Sequence, residues 1–553
     1  MGDAPLPVRL RRFWRLFRTG PVAHRALGLA FVVILLADVI GAGVRSATDS
    51  SSAKTSVKAG KHAGPAGLEP GRASNVSGGG TGSTVPGGGT GGAGGAGGAG
   101  GSSGGGSGGG TGGGAIGPLT ASDKGVTPTS IRVVFTYPDL GPVGASIGLA
   151  GTSEDEKTSI NAFVRDVNDR GGVLGRRIDP VIVSYNPLDE SDMRSKCINW
   201  RNDSHLFAVV DINGGWHDDQ QLCVTQEGHM PLLSPWTTVT DWTKRSGGYL
   251  WWVNADQADT IVNLVAWAKS KGFLGNGVKF GVVAATRTGD TLALNNYLLP
   301  ALTRAGLKPT HVQTIHFDTQ STAQANAEAT VAVQQFRQDG DTVVLPLLPY
   351  NTMQTFLRAA QSQSYQPRLL LSDYEQSLTS ALGMAETGGF KYNLQDQIGP
   401  TAVVLGNDDG PVGAHPYGPA AMDCFNAFKK YVDPAAYRSL PNHSDWDGNL
   451  ESTGTAMTTC EETHLFVRAA AIAGANLTRA GFNAAMAQIT SFAGTVVPDL
   501  AFGPNRHAGP HEMRIVQVHV NDDKRCPLKP PPKRNVQGSC WLILQDFTNM
   551  ERV

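Results

Sequence analysis

The sequence predicts an α/β protein of two doubly wound parallel-sheet lobes joined by a hinge, preceded by a transmembrane or signal segment and a disordered Gly-rich linker. Three observations carry that reading. Short β-branched runs alternate with amphipathic helical stretches in two successive series, about 129–250 and about 255–375, and parallel sheets covered by helices are the product of such alternation. The turn Asn168 to Ile178, NDRGGVLGRRI, closes the first strand, helix and strand into one unit. The composition changes sharply near residue 120, which sets 121–553 apart as the globular part.

The opening unit is read from its periodicity. Ile131 to Thr136, IRVVFT, is a short apolar run, and Ile178 to Ser184, IDPVIVS, is β-branched; both read as strands. Between them Ile160, Phe163, Val164 and Val167 recur at the three- and four-residue spacing of one buried helical face. Ser153 and Glu156 form an S-x-x-E capping box at the start of this helix, and Gly171-Gly172 gives the backbone freedom that ends it.

A chain of 553 residues must be divided before its composition is interpreted. Residues 1–72 hold 11 Lys/Arg and 4 Asp/Glu, and 73–114 hold neither; subtracted from totals of 46 and 47, these leave 35 basic and 43 acidic residues, a net charge of −8 for 115–553. That balance argues against a nucleic-acid partner, since no basic excess exists to displace counterions. In 1–47, six arginines from Arg9 to Arg25 precede an apolar run from Ala26 to Val44. The run reads as an export signal, long enough for a signal-peptide core or a membrane anchor, although Asp38 weakens a span. Only Ala42 and Ala47 hint at a cleavage site, so the uncleaved anchor is preferred, with everything after Arg45 outside the cytoplasm. The linker, 48–120, includes Gly78 to Gly114, with 24 glycines among 37 positions. It cannot form a core, and as a flexible coil those residues span about 30 to 37 Å, which suits a tether through a cell envelope.

After the opening unit, Leu206 to Ile212 and Met230 to Ser234 read as strands around a helix at Asp219 to Glu227, and Tyr249 to Asn254 leaves the first lobe. Gln257 to Lys271 reads as a helix. The second series places strands at Val278 to Ala284, Thr310 to Phe317, Asp341 to Leu348 and Arg368 to Ser372, alternating with helical stretches 290–305, 322–338 and 351–364. Later segments return to both lobes: Cys460 to Ile472 and Ala480 to Ile489 are helical in pattern, and Met513 to Val520 faces Trp541 to Leu544 as a hairpin.

Doubly wound lobes bind ligands at the carboxyl ends of their strands. The loops just after the strands are Gly214-Gly215-Trp216-His217 and Pro235-Trp236-Thr237-Thr238 in the first lobe, and Arg287-Thr288-Gly289-Asp290, Tyr350-Asn351 and Asp373-Tyr374 in the second. Trp216, Trp236, Tyr350 and Tyr374 offer aromatic walls, with packing as the competing role for the tryptophans. His217-Asp218-Asp219 reads as a helix start with acids favoured by its dipole, not as metal ligands. Gly144-Ala145-Ser146-Ile147-Gly148 fits G-x-S-x-G, but Ser146 lies ten residues past Thr136 and short of the helix, the wrong context for a nucleophile elbow. The chain does not read as an enzyme and needs no cofactor or metal.

The N-x-x-GGVLGR-like turn and its surroundings resemble the type I periplasmic solute-binding proteins of ABC transporters, the Leu/Ile/Val-binding group, from about Thr129 to Gln545. The resemblance implies two lobes that close on a small molecule and a permease partner in the membrane. The rival is an extracellular sensory or structural module of the same fold without a transporter. In such relatives the first lobe holds a ligand carboxylate, and Ser234 to Thr238, SPWTT, matches the second of its loops; Thr288 and Asp373 stand where an aromatic and an acid for an ammonium group occur. Thr288-Gly289 replaces Tyr-Gly and Asp373 is a shorter acid, so the ligand class extends beyond amino acids to amides and aromatic or apolar carboxylates. Six cysteines in an exported chain are expected to be oxidised, and spacing alone leaves 15 connectivities. The resemblance implies Cys197 with Cys223, after which Cys424 with Cys460 and Cys526 with Cys540 follow most simply.

Overall fold

The computed structural model describes residues 117–139, 152–187, 189–212, 219–317, 322–386, 388–404, 408–409, 418–432, 450–520 and 540–552. The apolar run 26–44, the Gly-rich stretch, Ser146, Trp216 and Cys526 lie outside them. Among the described residues no helix is long and apolar enough to cross a membrane.

Lobe I is a five-stranded parallel sheet in the order β2-β1-β3-β4-β5, formed by β1 (Ser130–Pro138), β2 (Arg177–Tyr185), β3 (Ala208–Asp211), β4 (Leu232–Ser234) and β5 (Leu250–Trp252). The predicted helix runs Thr152–Asp169 and buries Ile160, Phe163, Val164 and Val167. It starts one residue before the Ser153 expected to cap it. Glu156, expected to complete the cap, is buried and acts on Tyr185 at the carboxyl edge of the sheet.

The turn after this helix shows why its residues are as they are. Gly172 has φ +66°, and a Cβ there would sit 2.0 Å from the Arg176 carbonyl oxygen; only glycine fits. The Asn168 side chain accepts from the Ile178 amide at 2.7 Å and donates to its carbonyl at 2.9 Å. Buried Arg176 donates to the carbonyls of Thr127, Thr120 and Ala475, tying the turn to distant chain.

Lobe II is a parallel sheet in the order β7-β6-β8-β9, from β6 (Phe280–Ala285), β7 (Val312–Ile315), β8 (Val343–Leu347) and β9 (Arg368–Leu369). The last is shorter than the predicted Arg368 to Ser372; Leu370 still donates to the Val344 carbonyl of β8 at 3.0 Å and also bridges to Ile398 of the next strand. The returning segments build a sheet that the sequence did not announce. It runs β10-β14-β15-β11, with β10 (Ile398–Thr401), β11 (Asp408–Asp409), β14 (Glu512–His519) and β15 (Cys540–Asn549), while β12 (Phe492–Ala493) and β13 (Asp499–Leu500) form a separate short ladder. The predicted hairpin is β14 with β15, antiparallel. Its Val516, Val518, Val520 and Trp541 share a core with lobe II, whereas helices Pro419–Tyr431, Leu450–Ala473 and Arg479–Met486 pack on lobe I.

Cys197 is joined to Cys223 and Cys424 to Cys460, as expected. Cys540 is also disulfide-bonded. The Cys424–Cys460 bridge spans a sequence separation of 36, and in the chain-entropy picture a loop of that length contributes about 4 kcal/mol. Replacing both cysteines by serine should lower the unfolding free energy in denaturant melts by that order; an unchanged midpoint would show that the bridge constrains nothing in the unfolded chain.

Candidate functional site

The carboxyl edge of the lobe I sheet is organised around Asp211, the last residue of β3 and fully buried. Tyr185, ending β2, donates its hydroxyl to Asp211 Oδ1 at 3.1 Å, and Ser234, ending β4, donates to Oδ2 at 2.9 Å. The Ser234 hydroxyl in turn accepts from the Trp236 amide at 3.1 Å. Gln221 donates to the Trp236 carbonyl at 2.8 Å and Asn254 to the Pro235 carbonyl at 2.7 Å. The loop 235–238 is therefore held at several backbone points, with Thr237 and Thr238 buried and Trp236 half-buried.

The facing loop of lobe II is built on Arg287. Its guanidinium donates to both oxygens of Asp290, at 2.7 and 3.0 Å, and pairs with Glu375 at 2.8 Å. Tyr374, fully buried, donates to Asp290 at 2.6 Å, and Gln257 donates to Glu375 at 3.0 Å. Burial drives the Glu375 carboxyl up to about 7, against the Arg287 charge that favours its ionised form. Glu375 and Gln376 both have positive φ, 49° and 57°, a conformation costing roughly 1–3 kcal/mol each that surrounding bonds must enforce. The two lobes meet here: the Arg287 guanidinium lies 5.9 Å from the Trp236 ring centre and 4.8 Å from that of Phe317.

The remaining candidates fall unevenly. Thr288 is exposed and Tyr350 half-buried, each the first residue of a helix that starts at the lobe II carboxyl edge. Asp373 accepts from the Ala402 amide at 2.7 Å, and burial pushes its carboxyl up to about 6. Through Oδ2 it ties its loop to the segment that follows β10; the sequence reading also gives it to the ligand. Sequence reasoning missed Asp211, Gln257, Glu375 and Glu462, because a lone acid or amide carries no spacing signal that tells a buried one from an exposed one. Among the described residues one group is compact enough for a metal ion, Cys424, Cys460 and His464, but both sulfurs are consumed in a disulfide.

The family model for periplasmic binding proteins matches residues 130–524. The chain belongs to that family, the substrate-binding proteins of ABC transporters. No curated protein matches the sequence. Among solved structures, the binding protein is similar to a fatty acid ABC transporter substrate-binding protein from Thermomonospora curvata, with 16% identity, TM-score 0.55 and coverage of 78% of this chain and 95% of that one. A branched chain amino acid ABC transporter protein from Thermus thermophilus with bound valine gives 14%, 0.55, 76% and 97%. A solute binding protein from Rhodopseudomonas palustris BisB5 in complex with 3,4-dihydroxy benzoic acid gives 12%, 0.53, 76% and 98%. At these identities the likeness shows the fold alone.

Several buried carboxyls of this binding protein titrate near neutrality. Asp256, which accepts from the Ala258 amide and the Thr240 hydroxyl, each at 2.8 Å, and Glu461, which accepts from the amide of Val496 at 3.1 Å, are both pushed up to about 7, chiefly by burial. At pH 6 the fold holds protons there that the unfolded chain has released, so the folded state binds more protons and stability falls as pH rises. The loss between pH 6 and 8 is about 1 kcal/mol for each of the two. His464 and His507, held below their ordinary value by burial, oppose any further gain on acidification below pH 6. Urea melts should place the midpoint higher at pH 6 than at pH 8; the reverse order would mean that these carboxyls stay ionised in the fold.

Proposed function

We propose that this binding protein captures a small organic solute between its lobes and presents it to an ABC permease from the outer side of the membrane, tethered through 26–44 and the Gly-rich linker. The observation that carries the reading is the meeting of Trp236 and Arg287, borne on loops from the carboxyl edges of two separate parallel sheets. Such edges are where doubly wound folds take their ligands. Trp236 and Tyr350 offer flat apolar surface, and Thr237, Thr238 and Thr288 offer hydroxyls, with Trp216 expected beside them. These suit an amino acid, an amide, or an aromatic or apolar carboxylate. The solute displaces the closure equilibrium only as far as it binds the closed form better.

A thermal-shift screen over amino acids, amides, urea and aromatic acids tests this, because stabilisation grows with the logarithm of ligand concentration over Kd. For a solute found this way, Trp236→Ala should weaken binding by about 1–3 kcal/mol, the value of desolvated apolar surface, without altering the unliganded melt. Equal affinity for the variant would remove Trp236 from the site. The tether has its own test: N-terminal sequencing of the exported protein should find no new terminus between Gly41 and Ser52. A new terminus there, with the protein released from membranes, would make 26–44 a removed signal.

A further inference from the structure

The crossing from β5 to the helix Gln257–Ser270 is bonded to the lobe I loop at successive residues. The Val253 amide donates to the Ser234 carbonyl at 3.2 Å, the Asn254 side chain to the Pro235 carbonyl at 2.7 Å and the Gln257 amide to the Thr238 carbonyl at 3.1 Å, while Asp256 accepts from the Thr240 hydroxyl at 2.8 Å. Gln257 has a second attachment. Its buried side chain reaches lobe II and donates through Nε2 to Glu375 Oε1 at 3.0 Å. The other oxygen of Glu375 pairs with Arg287 Nη2 at 2.8 Å, and this guanidinium lies 5.9 Å from the Trp236 ring centre. A circuit closes: from Trp236 along the loop to Thr238, through Gln257 to Glu375, and through Arg287 back to Trp236.

The joints of this circuit lie out of water. Gln257, Glu375, Arg287 and Asp290 are all buried, so a donor lost there is not replaced by solvent. Asp290 grips the guanidinium at Nε and Nη2, and Glu375 adds its bond at Nη2. A carboxylate fastened at one oxygen can turn about its Cγ–Cδ bond; the Gln257 amide group at Oε1 stops that rotation and keeps Oε2 on Arg287. We infer that Gln257 is a positioning residue for solute capture, its side chain setting, through Glu375, the Arg287 guanidinium that faces Trp236. The inference rests on the solute-binding reading above and adds to it a residue outside the strand-end loops.

Two variants test it. Gln257→Met keeps the length of the side chain and removes the donor, whereas Gln257→Glu keeps its shape and makes the donor depend on a proton. Full-length parent and variants are screened by thermal shift against the amino acids, amides, urea and aromatic acids above, and Kd for each solute that moves the parent's midpoint is measured by calorimetry at pH 6 and pH 9. Gln257→Met should bind about tenfold more weakly at both, the order of one hydrogen bond to a charged group. In Gln257→Glu the two facing carboxyls share a proton at pH 6 and repel once it is drawn off. That variant should match the parent at pH 6 and fall about tenfold below it at pH 9. Arg287 and Asp290 beside Glu375, and Asp256 and Asp259 at the helix start, the latter paired with Arg552 at 3.6 Å, are common to all three proteins, so the ratio to the parent removes their titration. Circular dichroism melts establish folding, and a variant that is merely destabilised keeps the parent's Kd wherever it is folded. Should Gln257→Met fail to fold, the pH ratio of Gln257→Glu decides alone. Parental affinity in Gln257→Met, or a Gln257→Glu ratio that is the same at both pH values, would make Gln257 a packing residue and leave solute capture standing. If no solute moves the parent's midpoint, the solute-binding reading fails and takes this inference with it.

Discussion

The paired hydrogen bonds between the Asn168 side chain and the backbone of Ile178 fix where β2 begins relative to the end of the first helix. From that point the register is set, with Ile178 opposite Ile131 and Tyr185 opposite Pro138. A slip of one residue would turn every β2 side chain to the other face. Tyr185 would then lose Asp211, and with it the hydroxyl that orients the carboxylate holding Ser234 and the Trp236 amide. A turn at the amino edge of the sheet therefore governs the loop chemistry at its carboxyl edge, roughly nine residues of strand away at 3.3 Å each.

Much of this was legible in the sequence because it rests on periodicity and on turn chemistry. The buried face Ile160, Phe163, Val164 and Val167, the Gly171-Gly172 stop and both parallel series depend on local rules that a single chain displays. The cysteine pairing needed the family resemblance, since spacing does not choose among partners. The sheet that joins β10 to the β14–β15 hairpin was not legible as such: β10 lies more than a hundred residues before β14, and nothing local in Ile398–Thr401 announces its partner. The site divides in the same way. Trp236 and Arg287 stand in loops that strand ends pointed to, whereas Asp211 ends an apolar run, and its bonds to Tyr185 and Ser234 appear only when distant strands are brought together.

The charge distribution of the two lobe edges follows from one difference in composition. Lobe II supplies a guanidinium, Arg287, to two carboxylates, and its buried acids are tied down by named donors. Lobe I supplies hydroxyls from Tyr185 and Ser234 to Asp211. Hydroxyl donors satisfy a carboxylate's lone pairs by hydrogen bonding, where a guanidinium adds a charge as well.

The loop 373–376 connects this chemistry to the geometry of the lobes. Asp373 is bonded to the amide of Ala402, just past β10, where the chain returns towards the lobe I core at Val404. Glu375, two residues on, is bonded to Gln257, the first residue of the helix that opens lobe II after the crossing from β5. One short loop, held in a left-handed backbone conformation, is thus fastened to both crossings at once. Through the Glu375–Arg287 ion pair the same loop is tied to the guanidinium that meets Trp236. The left-handed backbone at Glu375 and Gln376 lets one short loop present Asp373 to Ala402 and Glu375 to both Gln257 and Arg287.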